Sequence, residues 1–191
     1  MVYHFFAMLS RMKHINRWGL MRNTRAENLC EHSLETAFIA HALCVINNKR
    51  FGGDLNPERA AVLAMFHDTT EIITGDMPTP IKYNNEKIRE VYRQIERSAA
   101  DKLLELLPSD MQEVYSDIYS GNEEYKKIIR AADKISALIK CIEERNMGNA
   151  EFSVAEQSTI KAIKELALPE ADVFVDEFLP SYRLTLDEQK L

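Results

Sequence analysis

The amino-acid sequence predicts an all-α fold, a helical bundle formed as a single domain over residues 1–191. In nearly every segment long enough to judge, apolar residues recur at steps of three and four, which is the spacing of one helix face. No segment alternates apolar and polar residues for long enough to indicate a sheet, and no internal repeat or low-complexity stretch is present. A chain of this length can enclose a full hydrophobic core, so nothing requires a second domain.

The N-terminal half is predicted to form three helices. Apolar spacing indicates the first two over residues 3–15 and 31–47. The third begins at Pro57, a residue suited to the first helical position, with Asn56 as its N-cap. His67-Asp68 follows its apolar segment, and Glu71 is expected beside both of them on the same helix face. Residues 74–80 then form a polar loop stiffened by two prolines.

The C-terminal half is predicted to be helical as well. A long amphipathic helix over residues 85–107 ends at Pro108, and a short helix around 110–119 leads into a turn at 120–122. Further helices are predicted over residues 123–146, 154–167 and 169–179.

Composition excludes several classes of protein. The net charge of −6 argues against binding to nucleic-acid polymers, which would need a basic surface. The three cysteines are too few and too widely spaced for a disulfide framework or a cysteine-based zinc site, and they favour reduced thiols in a cytoplasmic protein. We expect no membrane-spanning segment, because no apolar run approaches the required length, and no signal peptide at the N-terminus.

Four residues form a candidate metal site, and each also has an ordinary explanation. Histidine and aspartate together suit a divalent first-row cation. His32 could be a residue at the start of a helix, His67 could bind the last carbonyls of its helix, and Asp68 could cap a helix or pair with an arginine. Asp133 is the strongest signal, because a carboxylate among apolar residues is costly to bury without compensation. Its alternative is an ion pair with a neighbour on the same helix, Arg130 or Lys134.

The order of these residues, His…His-Asp…Asp on helices, resembles the ligand signature of the HD-domain metal-dependent phosphohydrolases. The similarity extends over nearly the whole chain. It is carried by the segments 15–18, 21–25, 27–28, 31–33, 67–71, 74–80 and 178–182, which are similar to the bacterial 5′-deoxynucleotidases of the YfbR type.

The resemblance implies metal-dependent hydrolysis of deoxyribonucleoside 5′-monophosphates to deoxyribonucleosides and phosphate, with discrimination against ribonucleotides. It implies a divalent cation such as Co, Mn or Zn, and a homodimer joined through the long helices. The implied metal ligands are His32, His67, Asp68 and Asp133. The implied catalytic carboxylates are Glu71 and Asp76, whose division of roles stays open. The implied substrate-binding residues are Arg17, Trp18, His32, Asp68, Asp76, Met77, Pro78, Thr79 and Asp133.

Alternative interpretations stay open. Asp76 could be a turn residue after Gly75, and Arg17-Trp18 could be the end of an amphipathic helix with a buried indole. At the level of function, the alternatives are another HD-type reaction on a nucleoside triphosphate or phosphodiester, and a non-enzymatic metal-binding module that binds a partner.

Overall fold

The computed structural model describes residues 2–78, 85–120 and 123–190, and regular structure in these ranges is helical. The one exception is an isolated antiparallel bridge between Asn16 and Asn28. The all-α prediction is therefore confirmed. The α-helices are α1 Phe5–Leu9, α2 Leu29–Arg50, α3 Pro57–Phe66, α4 Glu71–Thr74, α5 Glu86–Leu104, α6 Ser109–Ser120, α7 Glu123–Asn146, α8 Ser153–Lys164 and α9 Pro169–Glu177. Short 3-10 helices cover Ser10–His14, Ala150–Phe152 and Leu179–Arg183.

The starts of α2 and α3 are fixed by polar side chains. Asn28 caps α2, because its side chain accepts hydrogen bonds from the backbone N–H groups of Cys30 and Glu31, and the Glu31 carboxylate accepts from the Asn28 N–H in return. Asn56 caps α3 through the Arg59 N–H, with Pro57 in the first turn as predicted.

Helix α2 lies at the centre of the fold and packs mainly against α3 and α7. The three helices share one apolar core, which includes Leu43, Ala60, Ile135, Leu138 and Ile139. A smaller cluster around Phe5, Leu103 and Leu107 packs α1 against α5. Because α2 contacts both of its neighbours, polar residues at one end of α2 lie next to residues from α3 and α7.

Helix α2 also corrects one expectation about membranes. By length and composition alone it could cross a membrane, although we expected no segment to reach that length. In the fold it is the core helix, and 56% of its most apolar window is buried. Core helices that never enter a membrane can have the same length and composition. Its composition therefore reflects contacts on several sides at once.

Two predicted helices differ from the structure. The segment 3–15 forms only α1 and a 3-10 helix, and Ile15 then becomes extended and its carbonyl accepts a hydrogen bond from the Leu29 N–H. Helix α3 ends at Phe66, so His67 and Asp68 lie in a turn and Glu71 begins a separate short helix. The cause is Thr69, whose backbone N–H and hydroxyl both donate to the Phe66 carbonyl. In a continued α-helix this carbonyl would instead accept from the N–H four residues later.

The three cysteines are free thiols, with Cys44 and Cys141 buried in α2 and α7. Burial raises the pKa of each of these two thiols to about 12. Both therefore behave as packed apolar groups at neutral pH.

Candidate metal and substrate site

The four candidate ligands come from three parts of the fold and meet at one point. His32 lies in the first turn of α2, His67 and Asp68 follow α3, and Asp133 lies in the middle of α7. The Asp68 Oδ2 atom is 3.4 Å from Nε2 of His32 and 3.1 Å from Nε2 of His67. Asp133 Oδ1 is 3.3 Å from Nε2 of His32. The potential ligand atoms of His32, His67 and Asp68 all lie within 4.8 Å of one another.

The site is closed on one side and open on the other. The His32 side chain is fully buried, whereas 37% of the Asp133 side chain is exposed. Asp133 forms ion pairs with His32 and Arg17, and in the described part of the chain the alternative pairing with Arg130 or Lys134 is not found. The exposed side of Asp133 leaves room for water or substrate next to the ligand atoms, as a catalytic metal site requires.

Both imidazoles present the same nitrogen to the cluster. His67 Nδ1 lies 2.7 Å from the carbonyl oxygen of Ala64, and His32 Nδ1 lies 3.0 Å from the hydroxyl of Ser136. The two Nε2 atoms are buried, and neither is aligned for a hydrogen bond within the described residues. Buried, unbonded ring nitrogens next to carboxylates suit a divalent cation. The expectation that His67 binds the last carbonyls of α3 is compatible with this role, because it uses the other nitrogen.

The charged groups of the cluster shift one another's pKa values. Burial by itself would lower the pKa of His67, but the charge of Asp68 raises it to about 9. Burial opposes ionisation of Asp68 and Asp133, yet the charge of His67 and contact with His32 lower both pKa values, that of Asp133 to about 2. The raised pKa of His67 shows that Asp68 and Asp133 favour a positive charge at this point of the site.

Arg17 lies directly beside this cluster. Its Nη1 atom donates to Glu27 Oε2 at 2.8 Å, and its Nη2 atom is 3.8 Å from Asp133 Oδ1. Burial lowers the pKa of Arg17, but the surrounding carboxylates outweigh burial and raise it. These carboxylates are Glu27, Asp133, Asp68 and Asp76, so Asp76 also belongs to this neighbourhood.

Trp18 is fixed by the same carboxylate. Its indole Nε1 donates to Glu27 Oε2 at 3.2 Å, and the ring packs against Phe152 with the centroids 5.3 Å apart. The backbone of Trp18 has a φ of +59°, a conformation that is strained for a bulky residue. The N–H of Arg17 donates to the Glu27 carbonyl and closes the loop between them. Arg17 and Trp18 thus lie in a closed loop and do not end an amphipathic helix.

The remaining predicted site residues lie in α4 and the loop after it. Glu71 is buried, and its N–H donates to the Asp68 carbonyl, so it stays near the cluster despite the break in the helix. Gly75 ends α4 with a φ of +73°, which favours glycine. Asp76, Met77 and Pro78 follow and are half-buried, while Thr79 lies outside the described residues.

Sequence reasoning overlooked three residues of this site: Glu27, Ser136 and Phe152. Glu27 was part of a family-like segment, but no spacing indicated that it binds Arg17 and Trp18. Two further arginines of this region are paired with glutamates, Arg22 with Glu151 and Arg25 with Glu31.

Two histidines and two aspartates, brought together by α2, α7 and the turn after α3, match the ligand signature by which the sequence resembles the HD-domain phosphohydrolases. The fold is similar to an HD-domain phosphohydrolase from Listeria innocua, with a TM-score of 0.81, 23% identity, and coverage of 98% of this chain and 92% of that one. It is also similar to the cyanophage S-2L HD phosphohydrolase bound to dA and one catalytic Zn²⁺ ion, with a TM-score of 0.70, 19% identity, and coverage of 94% and 96%.

Within that class, the chain belongs to the family described as 5′-deoxynucleotidase YfbR-like, whose sequence model matches residues 4–182. It is 50% identical over 188 residues to a 5′-deoxynucleotidase of Vibrio parahaemolyticus, covering 97% of each chain. It is also 50% identical over 191 residues to a 5′-deoxynucleotidase of Yersinia pestis, covering 98% of this chain and 97% of that one. The resemblance seen in the sequence is therefore confirmed.

Proposed function

We propose that this protein is a metal-dependent 5′-deoxynucleotidase, a phosphoric monoester hydrolase that converts deoxyribonucleoside 5′-monophosphates to deoxyribonucleosides and phosphate. One observation carries the proposal: the Arg17 side chain, 12% exposed, lies 3.8 Å from Asp133, at the edge of a His-His-Asp cluster. A phosphate bound beside the cluster would meet the Arg17 guanidinium on one side and the metal on the other. The 5′-deoxynucleotidase names of relatives at 50% identity support this substrate class.

His32, His67, Asp68 and Asp133 hold the metal. A bound divalent cation supplies charge neutralisation for the phosphoryl oxygens and activates water there. Mixed histidine and carboxylate ligands accept Co, Mn and Zn alike, so that availability decides which one is used in the cell. A catalytic Zn²⁺ is present in the similar cyanophage enzyme, and Zn²⁺ is accordingly one of the candidates.

The protein's own side chains bind the substrate and handle the proton. Arg17 donates charge-assisted hydrogen bonds to the phosphate. Glu71 and Asp76 are the carboxylates that orient the attacking water and move its proton, because both lie beside the cluster and stay outside the ligand set. Trp18 packs on the deoxyribose and leaves a 2′-hydroxyl without space or a hydrogen-bond partner. Met77 and Pro78 line the sugar side of the site, and His32, Asp68, Asp76 and Asp133 border the phosphate. The resemblance adds Thr79, which lies outside the described residues, to the substrate-binding set.

The function is tested by phosphate release from dAMP and AMP, with metal-stripped protein and with protein given Mn²⁺, Co²⁺ or Zn²⁺. We expect release only with metal, and far more from dAMP than from AMP. Equal release from both would disprove the sugar selection. No release from either, with metal bound, would contradict the phosphatase and favour a polyphosphate or phosphodiester substrate or a binding module.

Glu27→Gln is expected to lower the preference for dAMP over AMP roughly tenfold in kcat/KM, because one charged acceptor holds both Arg17 and Trp18 and its loss weakens two hydrogen bonds. The measurement is the ratio of kcat/KM for the two nucleotides. Glu27 and Glu143 both line a surface recess, and Glu143→Gln, which removes an exposed carboxylate from it, serves as the matched control. An unchanged ratio in Glu27→Gln would show that Glu27 does not position the sugar contact.

We also propose a homodimer joined through α5. On this helix Ile88, Val91 and Ile95 are 37%, 50% and 46% exposed, and together they form an apolar face at helical spacing. Sedimentation equilibrium would show a dimer for the wild type and a weaker one for Val91→Glu, and a wild-type monomer would contradict the proposal. The protein is further proposed to work as one domain over residues 1–191 in the cytoplasm, which suits its free thiols.

A further inference from the structure

The two imidazoles of the cluster are held at Nδ1 by different kinds of partner. The partner of His67 is the carbonyl oxygen of Ala64, which only accepts hydrogen bonds. When the ring of His67 is neutral, it therefore carries its proton on Nδ1 and has a free electron pair on Nε2. The partner of His32 is the Ser136 hydroxyl, which either donates or accepts. By itself, this contact does not decide which nitrogen of His32 carries the proton.

Glu35 decides the direction of the Ser136 hydroxyl. The hydroxyl donates to Glu35 Oε2 at 2.6 Å, a length typical of a hydrogen bond to an ionised carboxylate. Its one proton is thereby committed, so Ser136 Oγ offers an electron pair to His32 Nδ1. The Thr36 hydroxyl lies 3.4 Å from the same nitrogen and can also accept from it.

The hydrogen bonds from Glu35 through Ser136 to His32 form a fixed chain, which we call the relay. His32 and Ser136 are fully buried, so water does not replace either partner. Glu35 is half-buried and borders a recess of about 150 Å³ that opens to solvent and is also lined by Glu27, Glu31 and Glu143. Burial raises the pKa of Glu35, and the hydrogen bond from Ser136 opposes that rise. The carboxylate thus contacts the buried relay with one oxygen while remaining near solvent.

We propose that Glu35 and Ser136 are positioning residues for His32: together they hold it in the Nδ1–H form and keep Nε2 available for a divalent cation. The inference rests on the proposed metal site. Partners behind a metal-binding histidine set its tautomer and orientation, and their loss costs about 10- to 100-fold in metal affinity. Neither Glu35 nor Ser136 has a role in the reaction proposed for this site.

The test compares Glu35→Met with Glu143→Met, which removes a carboxylate from the same recess without touching the relay. Two quantities are measured: the imidazole tautomers, from long-range ¹H–¹⁵N correlations of metal-free protein at an alkaline pH, and Co²⁺ affinity, by competition with a chromophoric chelator. For Glu35→Met we expect a mixture of His32 tautomers and about 10- to 100-fold weaker Co²⁺ binding. Glu143→Met should match the wild type in both. Glu35→Gln, which retains an acceptor oxygen, should recover most of the affinity.

The measurements decide whether Glu35 and Ser136 hold the tautomer of His32. Retention of the Nδ1–H form in Glu35→Met, with the Co²⁺ affinity of Glu143→Met, would overturn it. A wild type that binds no Co²⁺ would contradict the proposed metal site, and the tautomer spectra would still decide the relay separately. If Glu35→Met does not fold, Ser136→Ala removes the hydroxyl itself and is expected to give the same two changes.

Discussion

Asp68→Asn is expected to lower kcat/KM for dAMP by more than about 100-fold. Loss of a residue that only supports a metal ligand costs up to about 100-fold, and Asp68 is itself a proposed ligand. Asp68 contacts Nε2 of both His32 and His67, so no other aspartate in the cluster can take its place. Asparagine keeps the shape and removes the charge, and its NH₂ group donates where a ligand must offer an electron pair.

The measurements are phosphate release from dAMP and the amount of metal retained after gel filtration. Asp176→Asn, an exposed residue of α9, is the control and should keep both. Circular dichroism separates a lost site from a lost fold. An Asp68→Asn protein with full activity and full metal content would remove Asp68 from the ligand set.

Glu144→Gln is expected to lower the free energy of unfolding at pH 7 by about 3 kcal/mol or more, since it breaks a buried ion pair and leaves a buried charge behind. The side chains of Lys140 and Glu144 are only 4% and 1% exposed. Glu144 also accepts hydrogen bonds from the backbone and hydroxyl of Thr24, the backbone of Arg25 and the amide of Asn149. It therefore ties the loop before α2 to the end of α7.

The same variant makes a prediction about pH. Burial opposes ionisation of Glu144, but the hydrogen bonds from Lys140, Thr24 and Asn149 lower its pKa far below the usual 4.5. A lowered pKa in the folded state stabilises the protein above the unfolded value, and this contribution is lost as the pH falls below it. The difference in stability between wild type and Glu144→Gln should therefore shrink from about pH 5 to about pH 3.

Urea unfolding at several pH values measures both effects. Glu177→Gln is the matched control, because Glu177 pairs with Arg50 at the surface, where ion pairs contribute little. We expect a much smaller change for this control. A Glu144→Gln protein as stable as Glu177→Gln, or a difference independent of pH, would show that the buried pair does not stabilise the loop.

Much of the fold could be predicted from the sequence, because helical periodicity is a local property. The spacing of apolar residues located α2, α3 and the helices from α5 onward to within a few residues, and Asn56-Pro57 marked the start of α3. The turn at His67–Thr70 was not predicted. It depends on the hydroxyl of Thr69, which competes for the Phe66 carbonyl and leaves no trace in the periodicity.

The order of histidines and aspartates predicted the HD-domain superfamily, and segments such as 67–71 and 74–80 predicted the family, because both are read directly from the chain. The tertiary structure alone decided which groups surround them. Ser136 contacts His32 across 104 positions, Thr24 contacts Glu144 across 120, and Glu27 turns toward Arg17 and Trp18. Such contacts depend on how α2 packs against α7 and how the loop before α2 closes. The free energy of that packing comes from many side chains at once, so no local pattern records it.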